Sequence, residues 1–91
     1  MRSVHVKLTV ADKVVGFTFD LMYLQGGAIQ VSDGPINYRV DGGDPADSTL
    51  AFTASDGDTF QLTGWDQVQN FRAVRTGVTN GAIRGVLNYS M

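Results

Sequence analysis

The chain has 91 residues, contains no cysteine and carries a formal net charge of −2 at pH 7. A chain of this length forms a single domain, residues 1–91, and without cysteine it has neither disulfide bonds nor thiolate metal sites. No basic run or stripe is present, which argues against nucleic acid as a partner.

The composition predicts an all-β fold. All nine acidic residues are Asp and none is Glu, and only two residues are Lys. Glu and Lys favour helix interiors, whereas Asp favours turns. Eleven glycines and abundant Val, Phe, Tyr and Thr also favour strands joined by turns.

The first third of the chain contains two segments that alternate with period two. In the first, apolar side chains occupy every second position, namely Val4, Val6, Leu8 and Val10. This pattern predicts a half-buried strand with His5 and Lys7 on its solvent side and Arg2 nearby. Residues 15–23 alternate in the same way, and the turn at 11–13 predicts a hairpin between the two strands.

The middle of the chain alternates strands with strong turn sequences. Residues 25–27 interrupt the pattern, and residues 28–31 resume it. The turn at 32–35 precedes a predicted strand at 36–40, which is followed by the longest polar loop, 41–48. We therefore expect two further strands joined by a tight turn.

The next part of the chain contains short strands beside one irregular segment. Leu50 and Phe52 mark one short strand, and Phe60 and Leu62 mark another. Residues 64–70 have no clean period, which predicts a single helical turn or an irregular corner.

The chain is expected to end in a hairpin. Predicted strands at 71–76 and 82–89 flank a turn at 77–81, which ends in the favoured hairpin pair Asn80-Gly81. With about eight strands and no long helix, the chain is predicted to fold as an antiparallel β-sandwich or jelly-roll.

Catalysis has little support in the sequence. His5 is the only histidine, cysteine is absent, and no Gly-x-Ser-x-Gly motif occurs. A nucleophilic triad needs a histidine beside an activated serine and an orienting carboxylate. We therefore expect a protein that is not an enzyme, in which His5 is an ordinary solvent-facing strand residue.

Aspartates are concentrated in two loops whose oxygen atoms suit calcium. Asp41, Asp44 and Asp47 lie three residues apart, and Asp56 and Asp58 flank a glycine. The EF-hand spacing and its bidentate Glu are missing, and aspartate is common in turns. We expect these residues to shape turns and expect no metal or other cofactor, with calcium in the first loop as the alternative.

The aromatic residues divide into core candidates and two exceptions. Core packing is expected for those on apolar faces, namely Phe17, Phe19, Tyr38, Phe52, Phe60, Phe71 and Tyr89. Trp65 and Tyr23 stand where the alternation breaks. Trp65 either plugs one end of the core or stands exposed as an anchor for sugar or protein. The plug is favoured, because a thin core needs large side chains.

Four arginines lie in predicted strands, namely Arg39, Arg72, Arg75 and Arg84. Such residues either lie on solvated faces paired with aspartate or anchor an interface, for which arginine is well suited. Arg72 and Arg84 would lie on neighbouring strands if the terminal strands form a hairpin. Both interpretations stay open.

Targeting and membrane segments are not expected. Residues 1–7 are too polar for the core of a signal peptide, and no apolar run approaches the roughly 20 residues of a membrane span. We therefore expect synthesis in the cytoplasm and no membrane partner.

Four stretches of the chain resemble small bacteriophage virion proteins. The stretches are 34–45, GPINYRVDGGDP, 57–64, GDTFQLTG, 70–77, NFRAVRTG, and 81–89, GAIRGVLNY. The resemblance covers roughly residues 30–91 and is carried by turn and strand residues. The proteins it resembles are capsid decoration (cement) proteins and small tail-associated β-sandwich proteins.

The resemblance implies a structural accessory protein of the virion, foremost a capsid decoration protein that binds and reinforces the head lattice. The implied partners are the major capsid protein and further copies of the chain, as a dimer or trimer. The strand at 3–10 is expected to pair with a partner strand. The expected contact residues are Arg2, His5, Lys7, Arg39, Trp65, Arg72, Arg75 and Arg84. Synthesis would take place in the host cytoplasm, and the protein would act in the virion.

Two alternatives stay open. The first is a carbohydrate- or receptor-binding β-sandwich module of a phage tail, in which Trp65 and Tyr23 stack on sugars and the loop at 41–47 holds calcium. In the second, residues 36–45 are similar to a strand-turn motif of immunoglobulin-like modules appended to glycoside hydrolases. That similarity would imply a domain of a larger secreted enzyme.

Overall fold

The strands that the structure describes form two antiparallel sheets. The computed structural model describes residues 2–17, 24–46 and 50–89. The elements in chain order are β1 (Arg2–Val10), β2 (Leu24–Ser32), β3 (Ile36–Arg39), β4 (Phe52–Ala54), β5 (Thr59–Thr63), α1 (Gly64–Asn70), β6 (Arg72–Arg75) and β7 (Gly81–Tyr89). One sheet has the strand order β1-β7-β2-β5, and the other has the order β4-β3-β6. The all-β prediction is confirmed.

The first strand shows how the alternating sequence sets one edge of the four-stranded sheet. Val6 and Val10 are buried, whereas His5, Lys7 and Thr9 are exposed, as the period-two pattern predicts. β1 pairs along its whole length with β7. Among the strands that the structure describes, β1 lies at the edge of this sheet.

β2 passes through the glycines at which the sequence pattern breaks. It pairs with β7 on one side and β5 on the other, and its register shifts between Leu24 and Gly26. Gly26 has a φ of +109°, and a Cβ there would lie 2.0 Å from the carbonyl oxygen of Leu62. Only glycine fits this position. The predicted interruption at 25–27 is therefore a bulge inside a strand and does not end it.

The segment at 64–70 forms a short helix, which confirms the helical alternative for this segment. The backbone N–H of Thr63 donates a 2.8 Å hydrogen bond to Oε1 of Gln67, which satisfies a donor at the start of α1. Val68 is fully buried, and α1 packs against β2 and β5. No helix in the described ranges is long and apolar enough to cross a membrane.

One cluster of buried side chains draws on both sheets and on α1. Ile29 and Ile83 come from the four-stranded sheet, and Ile36 comes from the three-stranded sheet. Phe71 follows α1 and stacks on Phe17 with their ring centroids 5.1 Å apart. Burial of each such side chain stabilises the folded state by about 1.5–3 kcal/mol relative to leaving the side chain exposed to water.

The predicted hairpin of the last two strands is wrong, and the described residues show no pairing between β1 and the segment that follows it. β1 pairs with β7, and the described part of the segment that follows β1 makes only one bridge, from Val15 to Ala73 in β6. The rest of that predicted strand, residues 18–23, lies outside the described residues. β6 and β7 belong to different sheets, so residues 77–81 connect the two sheets. A turn sequence specifies a chain reversal but not the sheet that the next strand joins.

The described residues account for seven of the roughly eight predicted strands. The remaining predicted strand is that at 15–23, of which the described part forms the bridge at Val15 and residues 18–23 lie outside the described residues.

Candidate functional site

The outward side of the four-stranded sheet forms a shallow, open depression of about 580 Å³. All four strands contribute side chains that point outward into it. These side chains, here called the outer face, are His5, Lys7, Ala28, Gln30, Thr59, Arg84 and Val86.

The strand register arranges the outer face in two rows that run across the sheet. The charged row reads, from β1 to β5, Lys7, Arg84, Gln30 and Thr59. The second row reads, from β1 to β2, His5, Val86 and Ala28. The row that contains Lys7 and Arg84 is charged and polar, whereas the neighbouring row contains the small or apolar side chains of Val86 and Ala28 beside His5.

Two cations face each other on neighbouring strands of the outer face. Lys7 and Arg84 are register partners, and both are exposed. Neither forms a hydrogen bond or an ion pair with a residue in the described part of the chain. Cβ atoms of such partners lie about 4.5–5.5 Å apart, and like charges at this distance destabilise the pair.

The outer face is positive on a chain whose net charge is −2. Of the described aspartates, none lines the depression. A carboxylate from another molecule would relieve the repulsion between Lys7 and Arg84 and meet no described acidic side chain in the depression. The electrostatics of this surface therefore favour an acidic partner.

Arg39 is held in a tight contact within the chain. Its Nε donates a 2.9 Å hydrogen bond to Oδ1 of Asp41, and its Nη2 makes a second bond to Oδ2 of the same carboxylate. The backbone N–H of Gly43 also donates to Asp41, at 3.0 Å. The hydrogen bond from Arg39, followed by that from Gly43, lowers the pKa of Asp41 to about 2. This contact orders the start of the 41–48 loop.

Arg72 and Arg75 are likewise held by backbone and loop groups. Nη1 of Arg72 donates a 2.7 Å hydrogen bond to the carbonyl of Phe71, where α1 ends. Nη1 of Arg75 donates to Oδ1 of Asn80 at 2.6 Å, across the connection between β6 and β7. Their role in partner binding stays a prediction, and the structure does not bring Arg72 beside Arg84.

Trp65 is exposed, so the favoured interpretation of this residue as a core plug is wrong. It lies in the first turn of α1, and 43% of its surface is accessible to solvent. Phe52, expected in the core, is 58% exposed because it lies on β4, an edge strand of only three residues. Tyr23 lies outside the described residues.

The described loop aspartates shape turns, as the sequence predicts. Asp44, Asp56 and Asp58 each accept a hydrogen bond from a backbone N–H, at 2.8–3.1 Å. Asp47 lies outside the described residues. Within the described ranges, no group of three His, Cys, Asp or Glu side chains gathers as a metal site would require.

The outer face includes residues that the sequence analysis did not single out. Ala28, Gln30, Thr59 and Val86 lie between or beside the cations. The alternation in β2 would place Gln30 on an outward face, but its position beside Arg84 depends on the pairing of β2 with β7. The side chain of Arg2 lies outside the described part, and exposed His5 agrees with its prediction.

Comparison of the chain with protein families, curated proteins and solved structures finds no match. The outer face and the edge of β1 among the described strands are therefore the features from which a function can be inferred.

Proposed function

We propose that the chain is a β-sandwich accessory protein of a virion, a capsid decoration protein that binds the major capsid protein and reinforces the head lattice. The open outer face beside the edge strand β1 is the observation that carries this proposal. Small ligands are usually held in enclosed clefts, whereas an open sheet face with a free edge suits a protein surface.

Reinforcement would follow from the area that each copy buries. A stable protein interface buries about 1,200–2,000 Å² in total, and this area must be exposed again before neighbouring capsid subunits separate. Copies on a lattice also hold one another at high effective concentration, so weak contacts add up. Self-association as a dimer or trimer would match the symmetry axes of a shell.

Co-sedimentation with expanded capsids of the phage that encodes the chain tests the proposal. We expect saturable binding with a fixed number of copies per capsid, and a higher temperature of capsid opening when the chain is bound. A chain that stays in the supernatant at all capsid concentrations would remove the proposal.

A second candidate function is a carbohydrate- or receptor-binding module of a phage tail. The observation that favours it is the exposed indole of Trp65, since aromatic rings stack on sugars. A glycan array, with and without calcium, tests this function. Binding that disappears in Trp65→Ala would support it, and an array without any bound glycan would exclude it.

A further inference from the structure

We propose that β1 accepts an extended acidic segment of the partner protein as a fifth strand of the four-stranded sheet, with the partner's carboxylates beside His5 and Lys7. This inference rests on the proposed function, because it names the chemistry of the partner at the same surface. It is argued from two features of the structure, the edge of β1 and the charge of the outer face.

The first feature is the length and regularity of the edge. β1 has nine residues, and its register with β7 runs from one end to the other without a shift. In the described part of the chain no strand lies on its other side. An edge strand presents a row of backbone N–H and C=O groups, and an extended peptide that adds to it satisfies both sets.

The second feature is the set of charges that an added strand would meet. Side chains at alternate positions of that strand would lie on the outer face, next to His5 and Lys7. Arg84 stands one strand further in, opposite Lys7. Opposite charges stabilise cross-strand pairs, so Asp or Glu at these alternate positions fits this edge.

The same charges argue against a second copy of β1 as the occupant. In an antiparallel pair of two β1 strands centred on Val6, each Lys7 would lie opposite the His5 of the other copy. Such a pair would add cations to a face that already holds the repelling pair Lys7 and Arg84. A strand that carries carboxylates would instead neutralise the charges of Lys7 and Arg84.

The repulsion between Lys7 and Arg84 yields a sharp test. Lys7→Glu replaces a repelling pair with an attracting pair in the free chain. We expect its urea midpoint to stay equal to that of the wild type or to rise, while its binding to an acidic strand falls. A residue with a purely structural role would lose stability and binding together.

The probe is a nine-residue peptide in which Glu alternates with Val or Thr. We expect Lys7→Glu and Arg84→Glu each to weaken its binding about tenfold, and salt near 0.5 M to weaken wild-type binding similarly. Lys13→Glu is the matched control, because Lys13 is an exposed cation in the turn after β1 and outside the depression. It should bind as the wild type does.

Amide hydrogen exchange separates strand addition from docking flat on the face. We expect amides of residues 2–10 to exchange more slowly in the complex with the peptide. Unchanged exchange in β1 would overturn the proposal. It would also be overturned by equal weakening in Lys13→Glu, or by equally tight binding of a Lys-containing peptide or of single-stranded DNA.

The failure of this inference can be told apart from failure of the proposed function. If the chain and its Lys7→Glu variant bind capsids equally well, the function stands and the acidic-strand proposal fails. If the wild type binds the acidic peptide through β1 but does not bind capsids, the strand proposal stands and the decoration function fails.

Discussion

Phe71 lies at the centre of a set of aromatic rings that extends from the core to the surface. Its ring centroid lies 5.1 Å from that of Phe17 and 5.8 Å from that of Phe60. Tyr38 stacks on Phe60 at 4.2 Å and contacts Phe52 at 5.5 Å. Burial decreases along this path, so the same kind of side chain should contribute very differently at its two ends.

Alanine substitutions at the two ends measure this difference. We expect Phe71→Ala to lower the free energy of unfolding by about 3–5 kcal/mol, because Phe71 is fully buried and leaves a cavity. Phe52→Ala should cost about 1 kcal/mol or less, because Phe52 is 58% exposed. Urea unfolding of both variants checks the prediction, and equal costs would contradict it.

The ionisation of the Tyr38 hydroxyl makes the stability of the fold depend on pH in alkaline solution. Burial raises the pKa of Tyr38 above its ordinary 10.0, and the negative charge of Asp58 adds to the shift. A raised pKa in the folded state means that folding favours the neutral phenol. The stabilisation that comes from folding around the neutral phenol of Tyr38 is therefore fully present below pH 10, and it is lost as the pH rises through the raised pKa.

Tyr38→Phe tests this account. We expect the free energy of unfolding of the wild type to fall more steeply than that of the variant above about pH 10. Urea unfolding at a series of alkaline pH values provides the comparison. Parallel curves for the two proteins would show that the ionisation of Tyr38 does not affect stability.

The arginines show how much of a candidate site can be predicted residue by residue. The sequence places Arg39, Arg75 and Arg84 in predicted strands and contains no signal that distinguishes the contacts of one from those of another. Their contacts differ, because Asp41 and Asn80 lie within reach of the first two, whereas Arg84 lies opposite another cation, Lys7 of β1. The partner of a strand residue is set by pairing between distant segments, which local patterns do not contain.

At the scale of elements, glycine at the β2 bulge is needed for the four-stranded sheet. We expect Gly26→Ala to cost at least about 2 kcal/mol, because its φ is +109° and a Cβ would meet backbone atoms of β5. Gly77→Ala is the control, since open space surrounds that position. The control should leave the free energy of unfolding unchanged or raise it by up to about 1 kcal/mol.

Thermal or urea unfolding of the two glycine variants checks this prediction. A Gly26→Ala variant as stable as Gly77→Ala would mean that β2 and β5 can separate without cost at the bulge.

Strands in which apolar and polar residues alternate clearly could be predicted from the sequence, but the strands with which they pair could not. The alternation of β1 and the strand at 36–40, observed as β3, follow from the positions of apolar side chains. The turn before residues 15–23 and the Asn80-Gly81 pair both led to hairpin predictions. In the structure β6 and β7 lie in different sheets, and the described part of the segment after β1 makes a bridge to β6 while β1 pairs with β7.

At the scale of the whole molecule, the chain has a small core and a net negative charge, although its outer face is positive. Such a chain often gains stability by association. We expect the mass in solution to be two or three times the 9.8 kDa of one chain at high concentration. Sedimentation equilibrium over a range of concentrations measures this, and a mass of 9.8 kDa throughout would contradict the expected self-association.

The central claim is that β1, which lies at the edge of its sheet among the described strands, and the adjoining outer face form the surface that contacts the capsid. Amide hydrogen exchange of the chain, free and bound to expanded capsids, tests it most directly. The account predicts slower exchange in residues 2–10 on binding, with little change in β4 of the opposite sheet. Slower exchange confined to β4 and β3, with β1 unchanged, would contradict it.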